Sequence, residues 1–347
     1  MKLTVRVEPT VAGLAGWDGL VIGEGGYLPS HDPYLSTSFL RLVGLFGRAG
    51  SQYLAAFTGE RLVGGATAQR VDEHVADRTA RLDGLLPGTE GAALAVGGLY
   101  DDRTGVLTEP ALSDQGRAAV ICQLFGEAEE IARRDGEGFV VCRCVDSGDL
   151  LLRGVLRDRG YSEVPGLDHF VLVLPPGGLD GYVSSFASRY RNKVRREVRI
   201  LREAGVVLSV EPMTQELIAE AVPLVVNLHD RYGVVEDPDF VAARMRVHCR
   251  AFKGSVYGVV ARTGGRAVGF MELVVHRGNG WARHAGFDYQ AQGRLPVYFG
   301  VMFYAVMDFA AERGLGVLDY SWGSDGAKRE RGCQVRPTVR LFKVLST

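Results

Sequence analysis

The stretch "SVYGVVARTGGRAVGFME" at residues 255–272 reads as strand, glycine turn, strand, and an earlier stretch, "SQYLAAFTGERLVGGA" at 51–66, reads the same way. Tyr53 matches Tyr257, and "RLVGG" matches "RAVGF". Working outward, "DQGRAA" (114–119) has a counterpart in "AQGRLP" (291–296). Each opens a long helical pattern that ends in glycines and runs into an apolar strand. The first is "VICQLFGEAEEIARRDGEGFVV" (120–141), the second "VYFGVMFYAVMDFAAERGLGVLDY" (297–320). The halves close on "RDRGYSEV" (157–164) and "RERGCQV" (329–335). Four matches in one order describe two copies of one α/β module: hairpin, third strand, glycine-containing turn, helix, strand, terminal strand. The seam is expected at "VLPPGGLDGY" (173–182), where two prolines and three glycines mark a linker, giving modules 1–175 and 176–347.

Length and composition agree. A chain of 347 residues suits two domains, and 46% hydrophobic residues with mean hydropathy +0.03 suit a globular core. No apolar run approaches the roughly 20 residues of a membrane span. The start, "MKLTVRVEPTVAGLAGWDG", has no continuous apolar stretch of a signal peptide, so the expected compartment is the cytoplasm. The five cysteines are scattered without C-x-x-C spacing, which fits reduced thiols, and no ligand spacing calls for a metal.

The formal net charge is −1, yet "SRYRNKVRREVRILREAG" (188–205) carries seven basic side chains. Phe186, Tyr190, Val194, Val198 and Leu201 recur at helical spacing, which predicts an amphipathic helix over 184–204. Ser184 or Ser185 is its expected cap and Gly205 its end. Arg191, Arg195, Arg199 and Arg202 form a second stripe beside the apolar one, with Arg189, Lys193 and Arg196 adding charge. Only Glu197 and Glu203 oppose them. Such a face is either a solvated surface or a phosphate-contacting one, and the imbalance within a neutral chain favours phosphate.

These blocks together resemble the GNAT acyltransferase superfamily in tandem duplication, and within it the Fem-type aminoacyl transferases. The resemblance rests on "RYRNKVRREVRILREAGV", "GGRAVGFMELVVHRGNGWARHAGFDY" and "LDYSWGSDGAKRERG" and spans most of residues 50–345. It implies an α/β (α+β) fold of two tandem GNAT-like modules, each a mixed, mostly antiparallel sheet flanked by helices. GNAT domains hold acyl-CoA pyrophosphate at a Q/R-x-x-G-x-G/A turn before a helix. Here Ser113 replaces the first residue of that turn in one half, although Gly116 and Ala118 fit. In the other half Gln290 and Gly293 fit and Leu295 does not. Fem-type proteins take the acyl group from aminoacyl-tRNA, so tRNA is the implied partner of the basic helix. The acceptor is the amine of a small metabolite or peptidoglycan-type precursor. No cofactor is implied beyond the donor. An acetyl-CoA donor and a non-catalytic RNA-binding module remain the alternatives.

Aminolysis of an activated acyl group asks for an oriented amine, a proton acceptor and stabilisation of an oxyanion. No Ser-His-Asp or Cys-His pattern suggests an acyl-enzyme. The candidates lie in the second module. Lys328 matches the C-terminal lysine of the Fem-type pattern. Asp319 and Tyr320 end the "LDY" strand, Asp319 to anchor an amine and Tyr320 to donate a proton. His284 and Asp288, four apart in "HAGFDY", share a face if the strand is regular. Glu272, Trp322 and Tyr298 are expected in the pocket. The first module shows no comparable cluster and reads as scaffold.

Overall fold

A computed structural model describes residues 2–22, 33–43, 51–71, 92–98 and 105–345. The chain divides into two compact units, Met1–Asp168 with Arg336–Thr347, and His169–Val335.

The first unit is built on strands β1 (Thr4–Glu8), β2 (Val21–Ile22), β3 (Gln52–Thr58), β4 (Arg61–Val71), β5 (Ala93–Val96), β6 (Leu107–Thr108), β7 (Phe139–Asp146) and β8 (Ser162–Pro165). Its sheet runs β1-β3-β4-β5-β7-β16-β8, where β16 is Thr338–Val344 at the far end of the chain. The β5–β7 pair is parallel, and β1–β3, β3–β4, β4–β5, β7–β16 and β16–β8 are antiparallel. After helix α1 (Thr37–Val43), the helix α2 (Asp114–Arg134) covers one face of the sheet. Val120, Ile121, Leu124, Phe125, Ala128, Ile131 and Ala132 recur every three or four residues and are all buried. Each large one contributes roughly 1.5–3 kcal/mol by leaving water. Helix α3 (Leu150–Asp158) leads into β8.

The second unit repeats the plan. Strands β9 (His169–Val173), β10 (Val207–Pro212), β11 (Val256–Thr263), β12 (Arg266–His276), β13 (Asn279–Phe287), β14 (Val317–Asp319) and β15 (Gln334–Arg336) form a sheet ordered β10-β11-β12-β13-β14-β9-β15. The β11–β12 hairpin closes on Gly264 (φ +57°) and Gly265 (φ +83°), a turn that needs two left-handed residues. Helices α6 (Gln215–Arg231) and α7 (Pro238–Ala251) pack on one face through Leu217, Ile218, Val225, Val241 and Met245. On the other lie α5 (Ser188–Glu203), α9 (Val297–Phe299), a π-helical turn at Gly300–Tyr304, and α10 (Ala305–Glu312). Short helices α4 (Gly178–Ser184), α8 (Tyr289–Gln292) and α11 (Asp325–Glu330) complete it. Gly286 lets α6 lie directly on β13: a Cβ there would stand 2.2 Å from the Leu224 carbonyl carbon.

The two strand orders match position by position, with one exchange. The strand between β7 and β8 is β16, which follows the second unit in the chain, while the strand between β14 and β15 is β9, the first strand of the second unit. The 1–175 and 176–347 division read from the sequence therefore becomes one at Asp168/His169, with Arg336–Thr347 returned to the first unit. The basic helix also starts later than expected, at Ser188. Residues 178–184 form the separate α4, and the Ser185 hydroxyl donates to the Tyr182 carbonyl and does not cap α5. Gly205 (φ +69°) does end it. Among the described residues no helix is long and apolar enough to cross a membrane.

Candidate active site

The second unit carries a buried acid–base cluster between β12, β13 and α7. Pairing across β12 and β13 runs Met271↔Ala285 and then Leu273↔Ala282, so Arg283 and His284 together oppose the single residue Glu272. This bulge brings the His284 ring against Glu272. Glu272 Oε2 lies 2.6 Å from His284 Nδ1, and Oε1 lies 3.0 Å from Nδ1 of His248, on α7. Glu272 is 0% exposed. Burial pushes its carboxyl up, but the two imidazoles outweigh that and hold it well below the usual carboxylate range. An ionised carboxylate only accepts hydrogen bonds, which assigns the Nδ1–H tautomer to both rings and leaves each Nε2 as the acceptor nitrogen. Burial and then the Arg244 guanidinium push His284 down to about 4, against the raising effect of Glu272. His284 is therefore a neutral imidazole at physiological pH. Arg244 is itself paired with Glu236 at 2.9 Å, and Glu236 with His229 at 2.5 Å.

Among the described residues, His248, Glu272 and His284 also form the one group of such side chains whose ligand-type atoms lie within 4.8 Å of one another. The nearby Arg244 charge opposes a cation there, and hydrogen bonds already occupy both Glu272 oxygens.

Beside this cluster the sheet opens. β14 pairs with β13 in parallel only from Asn279↔Val317 to Trp281↔Asp319, whereas β13 runs on to Phe287. Past Asp319 the chain turns away, with Ser321 (φ +56°) and Ser324 (φ +53°) both left-handed, a strained arrangement frequent at functional sites. Lys328 shapes this turn. Its buried ammonium donates to the carbonyls of Tyr320 (2.7 Å), Ser321 (3.2 Å) and Trp322 (2.7 Å) and sits 5.3 Å from the Phe170 ring centre. Tyr320 donates to the Met302 carbonyl within the π-helical turn (2.6 Å), and burial raises its phenol well above the ordinary range. Asp319 is buried, accepts from the Ser321 amide at 2.7 Å and lies 3.7 Å from His169 Nδ1. Trp322 is 41% exposed. Tyr298 packs on Phe287 and Phe299, its phenol pushed up to about 12 by burial.

Asp288 does not join His284, because β13 ends at Phe287. Its Oδ1 accepts from the amides of Gln290 and Ala291, capping α8, and its Oδ2 meets Arg266 at 2.5 Å. Gln290 is exposed within α8, Gly293 (φ +53°) ends that helix, and Pro296 opens α9. In the first unit the corresponding turn caps itself, Ser113 Oγ accepting from the Gly116 amide. At the Glu272 position of the hairpin repeat the first unit has Thr67.

On α5, Arg195, Arg196, Arg199 and Arg202 are exposed, while Arg191 and Lys193 are half-buried, with Lys193 2.7 Å from Glu330. Glu197 does not oppose them at the surface. It turns inward to Arg331, at 2.6 Å, and accepts from the Tyr304 hydroxyl, so the outer face is more positive than the sequence suggests. The sequence reading also missed His248, whose spacing after Val241 and Met245 puts it on the apolar face of α7. Nothing local signals its partner on β12.

Residues 188–329 match the model of the acetyltransferase (GNAT) domain family. No curated protein sequence matches the chain. The fold is similar to that of a tandem GNAT protein from the clavulanic acid biosynthesis pathway, with TM-score 0.58, 11% identity and 99% of each chain covered. FemX is similar at TM-score 0.57 and 12% identity, over 85% of this chain and 88% of its own. L-PGS from Bacillus licheniformis is similar at TM-score 0.55 and 12% identity, over 89% and 88%. The second unit thus carries the match to the acetyltransferase (GNAT) domain, and the chain has a tandem-GNAT fold, with FemX among the structures it resembles.

Proposed function

We propose that the protein forms an amide by moving an aminoacyl group from aminoacyl-tRNA to the amine of a small metabolite or peptidoglycan-type precursor. In this reading the amine attacks the ester carbonyl and His284 Nε2 takes its proton as the C–N bond forms. The imidazolium is stabilised by Glu272. As the C–O bond breaks, the departing ribose hydroxyl recovers the proton. Burial of the acid–base pair keeps water from competing. Lys328 and Tyr320, with their polar atoms engaged by carbonyls, shape the opening.

One observation carries the choice of donor. The basic helix α5 is fixed against the helical segment that follows the 290–296 turn, where a GNAT domain places its donor. A Cβ at Gly300 would stand 2.8 Å from Leu201 Cδ1, and Glu197 meets Tyr304 and Arg331. A row of exposed arginines on so firmly held a support suits a donor that is itself a large polyanion.

The test is a gel shift with bulk aminoacylated tRNA over a salt series, with acetyl-CoA as competitor. The expected result is binding that weakens steeply with salt, resists acetyl-CoA, and disappears in Arg195→Glu/Arg199→Glu. Displacement by micromolar acetyl-CoA would move the protein to the CoA-dependent class. Transfer that survives intact in His284→Ala would overturn the assignment of the base.

A further inference from the structure

The second imidazole on Glu272 has no place in the proton transfer itself. His284 alone could take the amine proton, and one carboxylate oxygen would suffice to orient it. Yet the other oxygen is occupied by His248, brought by α7 from a different layer of the unit.

Physical chemistry supplies a reason. Glu272 is fully buried, in a strand flanked by Met271 and Leu273, which are buried too. A carboxylate ion in such a place costs several kcal/mol unless both oxygens meet donors. With a single donor it would tend to hold a proton. A protonated Glu272 could then donate to His284 Nδ1, which would move the ring proton to Nε2 and remove the lone pair that the reaction uses.

The charged and titratable surroundings offer no substitute. Arg244 on α7 is engaged by Glu236, which His229 of α6 also binds. Cys249 on α7 remains a thiol, pushed up to about 11 by burial and then by the charge of Glu272. On β13 the facing group is His284 itself. The His248 ring is held by packing, 6.4 Å from Phe252 and 5.7 Å from His284 between ring centres.

We propose that His248 is a positioning residue of the acyl-transfer site: its Nδ1–H completes the hydrogen bonding of Glu272 and thereby holds His284 in the tautomer with Nε2 free. The assignment rests on the reading of His284 as the base.

The experiment is long-range proton–nitrogen NMR of the full chain labelled with nitrogen-15 at histidine, from pH 5 to 8, without substrate. His248→Leu, His248→Asn and His284→Asn are compared with the unaltered protein. In the unaltered protein His284 should show a protonated Nδ1 and a bare Nε2 across the range, and His248 a protonated Nδ1. In His248→Leu the His284 signals should change to the Nε2–H or doubly protonated form over part of the range. His248→Asn, whose amide can donate from nearly the same place, should restore the original pattern. A variant that merely lost packing would melt earlier with the His284 tautomer unmoved, and that result overturns the proposal. So does a bare Nδ1 on His248 in the unaltered protein, which needs no variant to fold. Because no substrate is present, these outcomes are separate from the transfer assay of His284→Ala, which tests the base.

Discussion

Arg331 and Glu197, 134 residues apart in sequence, meet in a 2.6 Å ion pair with Arg331 0% exposed. Tyr304 donates to the same Glu197 oxygen and accepts from Arg331 Nε at 3.0 Å, while the Arg331 guanidinium lies 3.7 Å from the Phe299 ring centre. A pair so fully desolvated is costly to halve. Arg331→Met leaves Glu197 buried and unmatched and is expected to destabilise the second unit by about 3–5 kcal/mol. The double variant Arg331→Met/Glu197→Leu should recover much of that loss. Urea unfolding of the four proteins decides it, and strictly additive losses would mean that the two residues are not coupled.

Lys328→Met should lower stability and transfer together. Removing the ammonium leaves the carbonyls of residues 320–322 without their donor, at a cost on the order of 2–4 kcal/mol. A lysine acting on the substrate would instead show a collapse of kcat with an unchanged unfolding midpoint, and the paired measurement separates the two.

Acid should weaken the second unit before the carboxylates of the surface titrate. His284 is held neutral in the fold down to about pH 4 but protonates near 6.5 once unfolded, so the unfolded chain binds more protons between those values. Stability from this group is complete above about pH 6.5 and falls as pH drops toward 4. Glu272, whose folded value is depressed, adds to the loss in the same direction below its ordinary range. A drop on the order of 2 kcal/mol between pH 7 and 5 is expected, smaller in His284→Asn. A pH-independent urea midpoint in that interval would refute it.

Gly286→Ala should be more damaging than its single methyl suggests. The new Cβ would meet the Leu224 carbonyl carbon at 2.2 Å and the Val225 nitrogen at 2.3 Å, backbone that can only move with α6 as a whole. A loss of about 1–3 kcal/mol or more is expected, with the Asn227–Phe287 hydrogen bond broken. A thermal midpoint within 2 °C or so of the parent, against the roughly 2–4 °C expected per kcal/mol, would contradict it.

The doubled hairpin, the glycine turn and the amphipathic helices were legible because local pattern and burial agree there. Tyr53 and Tyr257 do occupy corresponding strands, and Gly160 and Gly332 both end helices with positive φ. Two things resisted reading. Which sheet an apolar strand joins is not written in its own residues, so β9 and β16 looked like ordinary neighbours of their flanking segments. Charge at helical spacing does not say which way it faces: Glu197 read as a surface counter-charge because its partner lies in a distant loop. Asp288 misled for a related reason, since spacing along a strand assumes that the strand continues. Glu272 and His284 were singled out as separate candidates, and only the bulge on β13 joins them.

Without β16 the first sheet lacks the strand between β7 and β8. A chain ending at Val335 should lose amide protection along Phe139–Asp146, where β16 supplies the pairing from Asp146↔Thr338 to Phe139↔Val344. Hydrogen exchange on that truncation checks this, and full protection would show that β7 does not need it.

The same exchange of strands sets an order of events during synthesis. When the ribosome has finished Pro165, the first sheet has a gap that only Thr338–Val344 can fill. At roughly 5–20 residues per second the wait is on the order of ten seconds or more. During it β7 and β8 present unpaired edges, an invitation to wrong partners. The first unit, although first made, thus closes only after the second has been made, and it cannot be expressed as a simple fragment of the chain, whereas the second unit is the continuous stretch His169–Val335.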